Sequence, residues 1–438
     1  MKKLISLLLV VSLVCSSLFA GGTQESASAK KSDTRTVTVV CRASYVNETW
    51  FKDMNAAFEA ETGIHVDVQP TPGNDADHDA KVNIDLLAGS SIDVVPSLGP
   101  KFYYDRADAG YFAALDDLVA KKGLDAKAIW GNYLPYSDDG HFYAVPYKQE
   151  VYCVFYNKAL FDKAGVAYPE GPWTWEDYVE TARKVTDKAN GIYGSFMNAE
   201  NPWTIIQAKQ RNIPLYKEDG TCNFDDPAFA EAIKWYKELG DEGIQLPVSE
   251  IKNENVSWNY YAMAGDHLAM FVQGNWFTRL LNSQTDYPKD WDYGVAPTPR
   301  CSSEDGNNNF VSMGYYSVNK NAAHPEEALE YVLWLGQNQW KYEGQIPALA
   351  SLSEEEQNKV FSSIADASHG QVTVDDLYQN FMNTGMGVAQ SDIIGTAADE
   401  YNRIANAEIE AYCLNLQSLE TTIKNIVSRV NEAIANVQ

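Results

Sequence analysis

Aromatic residues beside carboxylates and amides are the side chains of this sequence best suited to molecular recognition. The chain contains 11 Trp and 26 Tyr. Many of them lie next to acids or amides outside the helical patterns, as in Glu200-Asn-Pro-Trp203. A pyranose ring presents apolar C–H faces and a rim of hydroxyl groups, so aromatic faces can stack on it while carboxylates and amides pair with the hydroxyls. These residues therefore suit the binding of a hydroxyl-rich ring.

The same acids could instead catalyse a reaction. A glycoside hydrolase needs two carboxyl groups roughly 5 to 10 Å apart, and a sequence does not give that distance. No G-x-S-x-G, H-E-x-x-H or P-loop pattern occurs, and the histidines show no metal-ligand spacing. We therefore predict a protein that is not an enzyme and holds no cofactor or metal, with a secreted glycoside hydrolase as the alternative.

Three aspartates that alternate along the chain resemble the start of a calcium loop. They are Asp75, Asp77 and Asp79. The loop pattern fails at Ala80, where glycine is needed, and at Leu86, where a chelating glutamate should stand. We therefore expect a solvated acidic turn here.

The N-terminus has the layout of a secretory signal peptide over residues 1–20. A positively charged start precedes an apolar run from Leu4 to Val14, and small residues follow. The run is too short to cross a bilayer, which takes about 20 apolar residues. Cleavage after residue 20 is the prediction, and a lipid anchor at Cys15 is the competing one. Residues 21–35 are small and polar and predict a flexible tether. The signal peptide predicts that the mature protein lies outside the cytoplasm.

The chain is strongly acidic, with 34 Lys and Arg against 60 Asp and Glu and a formal net charge of −26. Such a surface argues against nucleic acid or an anionic membrane as a partner. A cationic solute such as a polyamine stays open as an alternative ligand. After Cys15 the cysteines are odd in number and scattered, which indicates neither a disulfide framework nor a zinc site. Cys41 and Cys153 lie in apolar runs and are expected to be buried.

Strand and helix patterns alternate from residue 36 onward. Thr36–Ser44 is a β-rich apolar run, residues 50–58 repeat at helical spacing, and Ile64–Val68 is a second strand, which together make one βαβ unit. Ile92–Pro96 adds a third strand, so an open α/β sheet is expected. Such sheets bind ligands at the carboxyl ends of their strands. The candidates at those ends are Ser44, Tyr45, Glu48 and Ser97.

Helix signals punctuate the rest of the chain. Thr174 to Asp177 form a capping box, and Asp226 precedes a proline at the first helical position. Apolar residues between Leu416 and Ala433 alternate three and four apart over fewer than three heptads. We therefore expect this last helix to pack against its own lobe instead of forming a coiled coil.

Several sequence blocks occur along the chain in a recognisable order. They are AFEAETGIHVDV, LLAGSSIDVV, DAGYFAALDDLV, YAVPYKQEVYCVFYNKALFDKAGV, PWTWEDYVETARKVT, AMAGDHLAMFVQGNWF, DYGVAPTP and YSVNKNAAHPEEALEYVLWL. In these blocks the chain resembles the extracellular solute-binding protein family 1, the sugar-binding components of bacterial ABC importers. The aromatic stretch Phe102-Tyr-Tyr104 departs from stronger examples because it lacks a tryptophan.

The resemblance implies an α/β, two-lobed, periplasmic-binding-protein-like fold with a ligand cleft between lobes that crossover strands join. About 400 residues exceed what one hydrophobic core usually organises, which agrees with two lobes. Carried onto this chain, the first lobe comprises 36–148 and 298–340. The second lobe comprises 149–297 and 341–438.

The resemblance also implies where a ligand is held. Trp276 matches the position where the family commonly places a stacking tryptophan, and Glu150 matches a place where relatives hydrogen-bond ligand hydroxyls. The loop with Glu200 and Trp203 is similar to loops that reach the cleft from the second lobe. Further candidates are Tyr147, Gln273 and Gly314, the last because a glycine lets backbone approach a ligand. The implied partners are a sugar or oligosaccharide and the membrane permease subunits of an ABC transporter, with the binding protein acting as a monomer.

Overall fold

The computed structural model describes residues 35–72, 75–137, 139–253, 266–284, 287–302 and 307–437. The predicted signal peptide, the lipid-anchor candidate Cys15 and the tether up to residue 34 lie outside these residues. None of the helices in the described ranges combines the length and apolar character needed to cross a membrane.

The first strands form where the apolar runs predict them. The strand bounds are β1 Thr36–Arg42, β2 His65–Thr71, β3 Val94–Ser97, β4 Ala144–Asn157, β5 Met270–Gly274, β6 Tyr293–Pro297, β7 Asn308–Val318 and β8 Gly387–Gln390. β1 lies between β2 and β3 and runs parallel to both, with Val39 opposite Val68 on one side and Val94 on the other. The strand order across the sheet is β2, β1, β3, β7, β4, β5, with β6 paired to β4 and β8 paired to β7.

Helices cover both faces of this sheet system. Their bounds are α1 Thr49–Thr62, α2 Asp75–Leu87, α3 Pro100–Asp108, α4 Asp116–Lys121, α5 Ala126–Trp130, α6 Lys158–Ala164, α7 Trp175–Val185, α8 Ile206–Gln210, α9 Pro227–Asp241, α10 Val248–Asn253, α11 Thr278–Asn282, α12 Pro325–Asn338, α13 Trp340–Glu343, α14 Glu354–Ala367, α15 Val374–Phe381, α16 Ala398–Cys413 and α17 Leu419–Val437.

Strands β4 and β7 connect the two lobes. Residues 144–151 of β4 pair antiparallel with β7, whereas residues 152–157 of the same strand pair with β5 and β6. At its C-terminal end β7 pairs with β3, and at its N-terminal end with β8. Phe310 accordingly packs with Val154 and Val272 in one apolar cluster, and Tyr316 packs with Val39 and Val318 in another, although the predicted bounds 298–340 place both residues in the first lobe. The two lobes therefore share the continuous backbone of these strands.

Local sequence signals are confirmed at the helix ends. Asp177 N–H donates to the Thr174 hydroxyl at 3.2 Å, and the Asp177 carboxylate accepts from Thr174 N–H at 2.9 Å. Asp226 caps α9 in front of its N-terminal proline. Helix α17 buries Ile426 and Val430 in the same apolar cluster as Phe229 of α9, so the prediction that it packs against its own lobe is confirmed.

The prediction of a solvated acidic turn at Asp75, Asp77 and Asp79 was wrong. A local sequence pattern does not show that one of these carboxylates has an ion-pair partner far along the chain. The aspartates expected in a solvated acidic turn lie instead at the start of helix α2, Asp75–Leu87. Asp79 is only 3% exposed, and its carboxylate lies 2.9 Å from the Arg106 guanidinium of α3. The expected burial of Cys41 and Cys153 is confirmed, and burial raises the pKa of the Cys41 thiol to about 12.

Candidate ligand-binding cleft

The carboxyl end of β1 presents an aromatic ring beside a cation. Tyr45 opens a short 3₁₀ turn directly after β1, and the Arg42 guanidinium lies 5.3 Å from the centre of its ring. The indole of Trp50 meets the same ring edge-on at 5.1 Å. Ser44 and Glu48 flank the turn, and both are exposed. This end of the first lobe therefore offers a half-buried aromatic ring with polar side chains around it.

Strand β4 carries three polar residues along one face. Side chains alternate across a strand, so Lys148, Glu150 and Tyr152 point the same way. The Lys148 ammonium lies 3.0 Å from Glu150 Oε1 and the residue is 9% exposed. Burial lowers the pKa of Lys148, but Glu150, Glu343 and Tyr45 together outweigh burial and leave that pKa raised. The ammonium is thus held charged between carboxylates.

Tyr147 joins this group from the neighbouring position, where the pairing of β4 with β7 shifts register. Its ring is 4.6 Å from that of Tyr316 and lies over Gly314, where an added Cβ would come within 2.6 Å of Tyr147 Cε1. Burial raises the pKa of the Tyr147 hydroxyl, and Glu343 and Tyr45 raise it further. The glycine therefore makes room for the tyrosine ring. A direct role of Gly314 toward a ligand stays a prediction.

The second lobe contributes from the other end of β4. Burial raises the pKa of the Tyr152 hydroxyl, and the nearby carboxylates that add to the shift are Glu150, Asp392 and Glu200. The side chain of Glu200 is exposed to solvent, yet the surrounding protein desolvates its carboxylate in part and raises its pKa. The ring of Trp203 meets Tyr152 edge-on at 5.7 Å and its indole N–H donates to the Val272 carbonyl at 3.0 Å.

These electrostatic neighbourhoods join residues of both lobes into one group. We call it the cleft cluster, and it consists of Arg42, Tyr45, Tyr147, Lys148, Glu150, Tyr152, Glu200 and Glu343. It brings together four of the residues predicted from the sequence, namely Tyr45, Tyr147, Glu150 and Glu200. Two cations stand against three carboxylates, and Asp392 adds a fourth carboxylate beside Tyr152, so the cluster lacks the excess positive charge of an anion site.

Other predicted residues are placed elsewhere. Ser97 is fully buried, and its hydroxyl accepts from Arg106 Nη1 at 3.2 Å. Gln273 is also fully buried, and among the residues that the structure describes neither polar atom of its amide has a hydrogen-bond partner. Trp276 packs at half-burial on the aromatic cluster around Phe271, whereas Tyr152 and Trp203 belong to the cluster on the opposite face of β5. The roles of Ser97, Gln273 and Trp276 toward a ligand stay predictions.

Sequence reasoning missed several members of the cleft cluster. Lys148 and Tyr152 carry a usable signal, because both stand two residues from Glu150 in a predicted strand and must share its face. Arg42 is the last residue of β1 and could have been found by the rule that places ligands at strand ends. Glu343 has no such signal, since it reaches the cluster from a separate segment of the chain.

The described ranges contain no group of three or more His, Cys, Asp or Glu side chains arranged to hold a metal ion. The side chains of the cleft cluster are suited to hydrogen bonding and aromatic contact.

Comparison with known proteins agrees with this architecture. A sugar transporter of Rhizobium etli in an open conformation superposes with a TM-score of 0.75 at 19% identity, covering 92% of this chain and 100% of that chain. An ABC substrate-binding protein of Listeria monocytogenes in complex with cycloalternan gives 0.73 at 19% identity, with the same coverage of 92% and 100%. At such identity these likenesses show the fold, which is the predicted two-lobed α/β fold.

The sequence comparison extends to function. A galactooligosaccharide-binding protein of Bacillus subtilis is 24% identical over 370 residues, which is 81% of this chain and 83% of that protein. Residues 43–342 match the family described as bacterial extracellular solute-binding protein, which confirms the resemblance seen in the sequence blocks. The chain is therefore a member of the bacterial extracellular solute-binding protein family.

Proposed function

We propose that this protein captures a neutral sugar or oligosaccharide in the cleft between its lobes and delivers it to the membrane permease of an ABC importer. It acts as a monomer, and no bond of the ligand is made or broken. Membership of the family supports solute binding, and relatives whose names specify sugars support the ligand class.

The observation that carries the proposal is the composition of the cleft cluster. The half-buried rings of Tyr45 and Tyr152 supply apolar faces, and carboxylates beside them supply hydrogen-bond acceptors. Lys148 adds a donor within 3.0 Å of Glu150. A sugar presents both kinds of surface at once, because each hydroxyl donates and accepts while the C–H faces are apolar.

Charge selects among the alternative ligands. An anion would meet three carboxylates, and a polyamine would meet the Arg42 guanidinium and the Lys148 ammonium. Transferring an anion or a polyamine from water into this cleft without a fully matching group of opposite charge costs several kcal/mol. A neutral, hydroxyl-rich ligand avoids both costs and is the ligand class that we favour.

The protein would meet its ligand outside the cytoplasm. The layout of residues 1–20 predicts export, and the extracellular character of the family supports it. The strongly acidic chain, with its formal charge of −26, leaves nucleic acid an unfavourable partner.

A sugar panel titrated into the purified protein tests the proposal. Binding is followed by tryptophan fluorescence and by the melting temperature, since a ligand at 100 times its dissociation constant adds about 2.7 kcal/mol of stability. We expect at least one neutral sugar to bind, and Glu150→Gln and Trp276→Ala to weaken that binding. The matched control is Glu180→Gln on the exposed face of α7, which should bind like the wild type.

Two results would reject this function. One is that no neutral sugar binds while a polyamine or a sugar acid does. The other is that the bound glycoside is hydrolysed, which product analysis by chromatography after overnight incubation would reveal and which would favour a secreted glycoside hydrolase.

A further inference from the structure

Lys148 is a buried cation whose hydrogen-bonding capacity is mostly unused. An ammonium group has three N–H donors. Within the ranges that the structure describes, its ammonium makes one hydrogen bond, to Glu150 Oε1 at 3.0 Å. The residue is only 9% exposed, and a buried charge that lacks hydrogen bonds is costly. Two donors at this position therefore call for oxygen atoms that the described part of the chain does not supply.

The surroundings of Lys148 are those of the proposed ligand site. Its Nζ lies 5.8 Å from the centre of the Tyr147 ring, and Tyr45 and Glu343 are among its electrostatic neighbours. Glu150, which accepts its one hydrogen bond, is half-buried and a carboxylate oxygen accepts more than one such bond. Donor and acceptor thus stand side by side, next to aromatic rings.

We propose, on the basis of the function proposed above, that Lys148 and Glu150 form a paired subsite for two adjacent hydroxyl groups of the sugar. The ammonium donates to one hydroxyl oxygen, and the carboxylate accepts from the neighbouring hydroxyl. The 3.0 Å separation of their polar atoms suits a vicinal diol, because its two oxygens are joined through adjacent ring carbons. Lys148 is then a specificity residue that selects sugars with both hydroxyls present.

A purely structural role makes a different prediction. If Lys148 only neutralises Glu150 and Glu343, its substitution lowers the stability of the protein and changes the affinity for all bound sugars by the same factor. A site built to hydrogen-bond a hydroxyl instead rejects the analogue that lacks it, because the buried protein group is left unpaired. Deoxy analogues therefore separate the two roles.

The experiment combines deoxy sugars with a double-mutant cycle. The ligand is the sugar that binds the wild type, together with its monodeoxy series. We expect removal of either of two adjacent hydroxyls, and of no distant one, to weaken binding by roughly 10-fold or more, the size of a hydrogen bond to a charged group. Lys148→Met and Glu150→Gln should each cost a similar factor and should not be additive.

The decisive result is that Lys148→Met no longer distinguishes the parent sugar from the deoxy analogue. Lys184→Met is the control, because Lys184 lies 2.7 Å from Glu180 in an exposed pair on α7. If the wild type binds a sugar and Lys148→Met binds it and its deoxy series unchanged, the subsite is refuted and the proposed function stands. If the wild type binds no sugar, both fall. Should Lys148→Met not fold, the deoxy series on the wild type decides: a uniform loss at every hydroxyl refutes the paired subsite.

Discussion

Asp392 of the second lobe caps a helix of the first lobe: its Oδ2 accepts a hydrogen bond from the Lys101 N–H in the first turn of α3, at 3.4 Å. Gly99 precedes that helix and has no side chain to cap it. A second contact joins the Lys101 ammonium to Asp399 at 3.1 Å. A carboxylate at a helix N-terminus is stabilised by the helix dipole. The lobes are therefore tied by protein groups alone, and the cleft cluster is not needed for this contact.

Asp392→Asn is expected to loosen the two lobes. The substitution keeps the shape of the side chain and removes its charge, and such a charge contributes about 0.3 to 1 kcal/mol at a helix N-terminus. In ligand-free protein, the ratio of molecules with the lobes in contact to molecules with the lobes apart should fall roughly twofold to fivefold, seen as a larger radius of gyration in X-ray scattering. Asp399→Asn is the control, because Asp399 is 88% exposed and exposed ion pairs contribute little. Identical scattering from the wild type and Asp392→Asn would contradict the conclusion that Asp392 holds the two lobes in contact.

Gly314→Ala should destabilise the protein and weaken ligand binding together. The new methyl group would lie 2.6 Å from Tyr147 Cε1, so the ring must move, and overpacking of this kind costs about 1 to 3 kcal/mol. Urea denaturation and sugar titration measure the two effects. Gly240→Ala in helix α9 is the counterpart, since its nearest contact is an ordinary 3.5 Å. That variant should be more stable than the wild type by about 0.5 to 1 kcal/mol, and equal behaviour of the two variants would refute the argument.

Ser97→Ala distinguishes a structural serine from a ligand-binding one. The Ser97 hydroxyl accepts from Arg106 at 3.2 Å, and a hydrogen bond to a charged group contributes about 1.5 to 3 kcal/mol. We expect a loss of unfolding free energy of that size with sugar affinity unchanged. Ser44→Ala, at an exposed position, should leave stability unchanged. Weaker sugar binding by Ser97→Ala at full stability would return Ser97 to the ligand site.

Lys209 should give the protein a stability term that grows with pH. Burial lowers the pKa of Lys209 to about 8, with Asp392 opposing that shift, whereas a lysine in an unfolded chain titrates near 10.4. Between these values the unfolded chain holds a proton that the folded chain lacks, so stability rises with pH. The unfolding free energy of the wild type minus that of Lys209→Met should increase by on the order of 2 kcal/mol from about pH 7.5 to about pH 10.

Urea denaturation at several pH values measures this difference, and subtraction cancels the titration of the tyrosines. The exposed Lys184→Met serves as the reference, because its difference from the wild type should stay flat over the same range. A flat difference for Lys209→Met as well would show that the folded Lys209 titrates like an unfolded lysine.

Much of the fold was predictable because its signals are local. The capping box at Thr174 and the apolar stripe of α17 each depend on residues within a few turns of one another, and both predictions are confirmed. The first strands and their parallel order follow from apolar runs separated by a helix. In the cleft, Tyr45 was predicted because it follows the carboxyl end of a strand, and Glu150 was predicted from the resemblance to the family.

The sequence by itself determined the family, the two-lobed α/β class, the first three strands, and an aromatic, acidic set of candidate residues. Only the tertiary structure decided which of them meet. It buried Asp79 against Arg106, turned Ser97 toward that same arginine, and placed Tyr147 over Gly314. It also brought Asp392 to the N-terminus of α3. The physical reason is that periodicity reports which face of an element is buried, whereas partners from distant segments meet only when the whole chain packs.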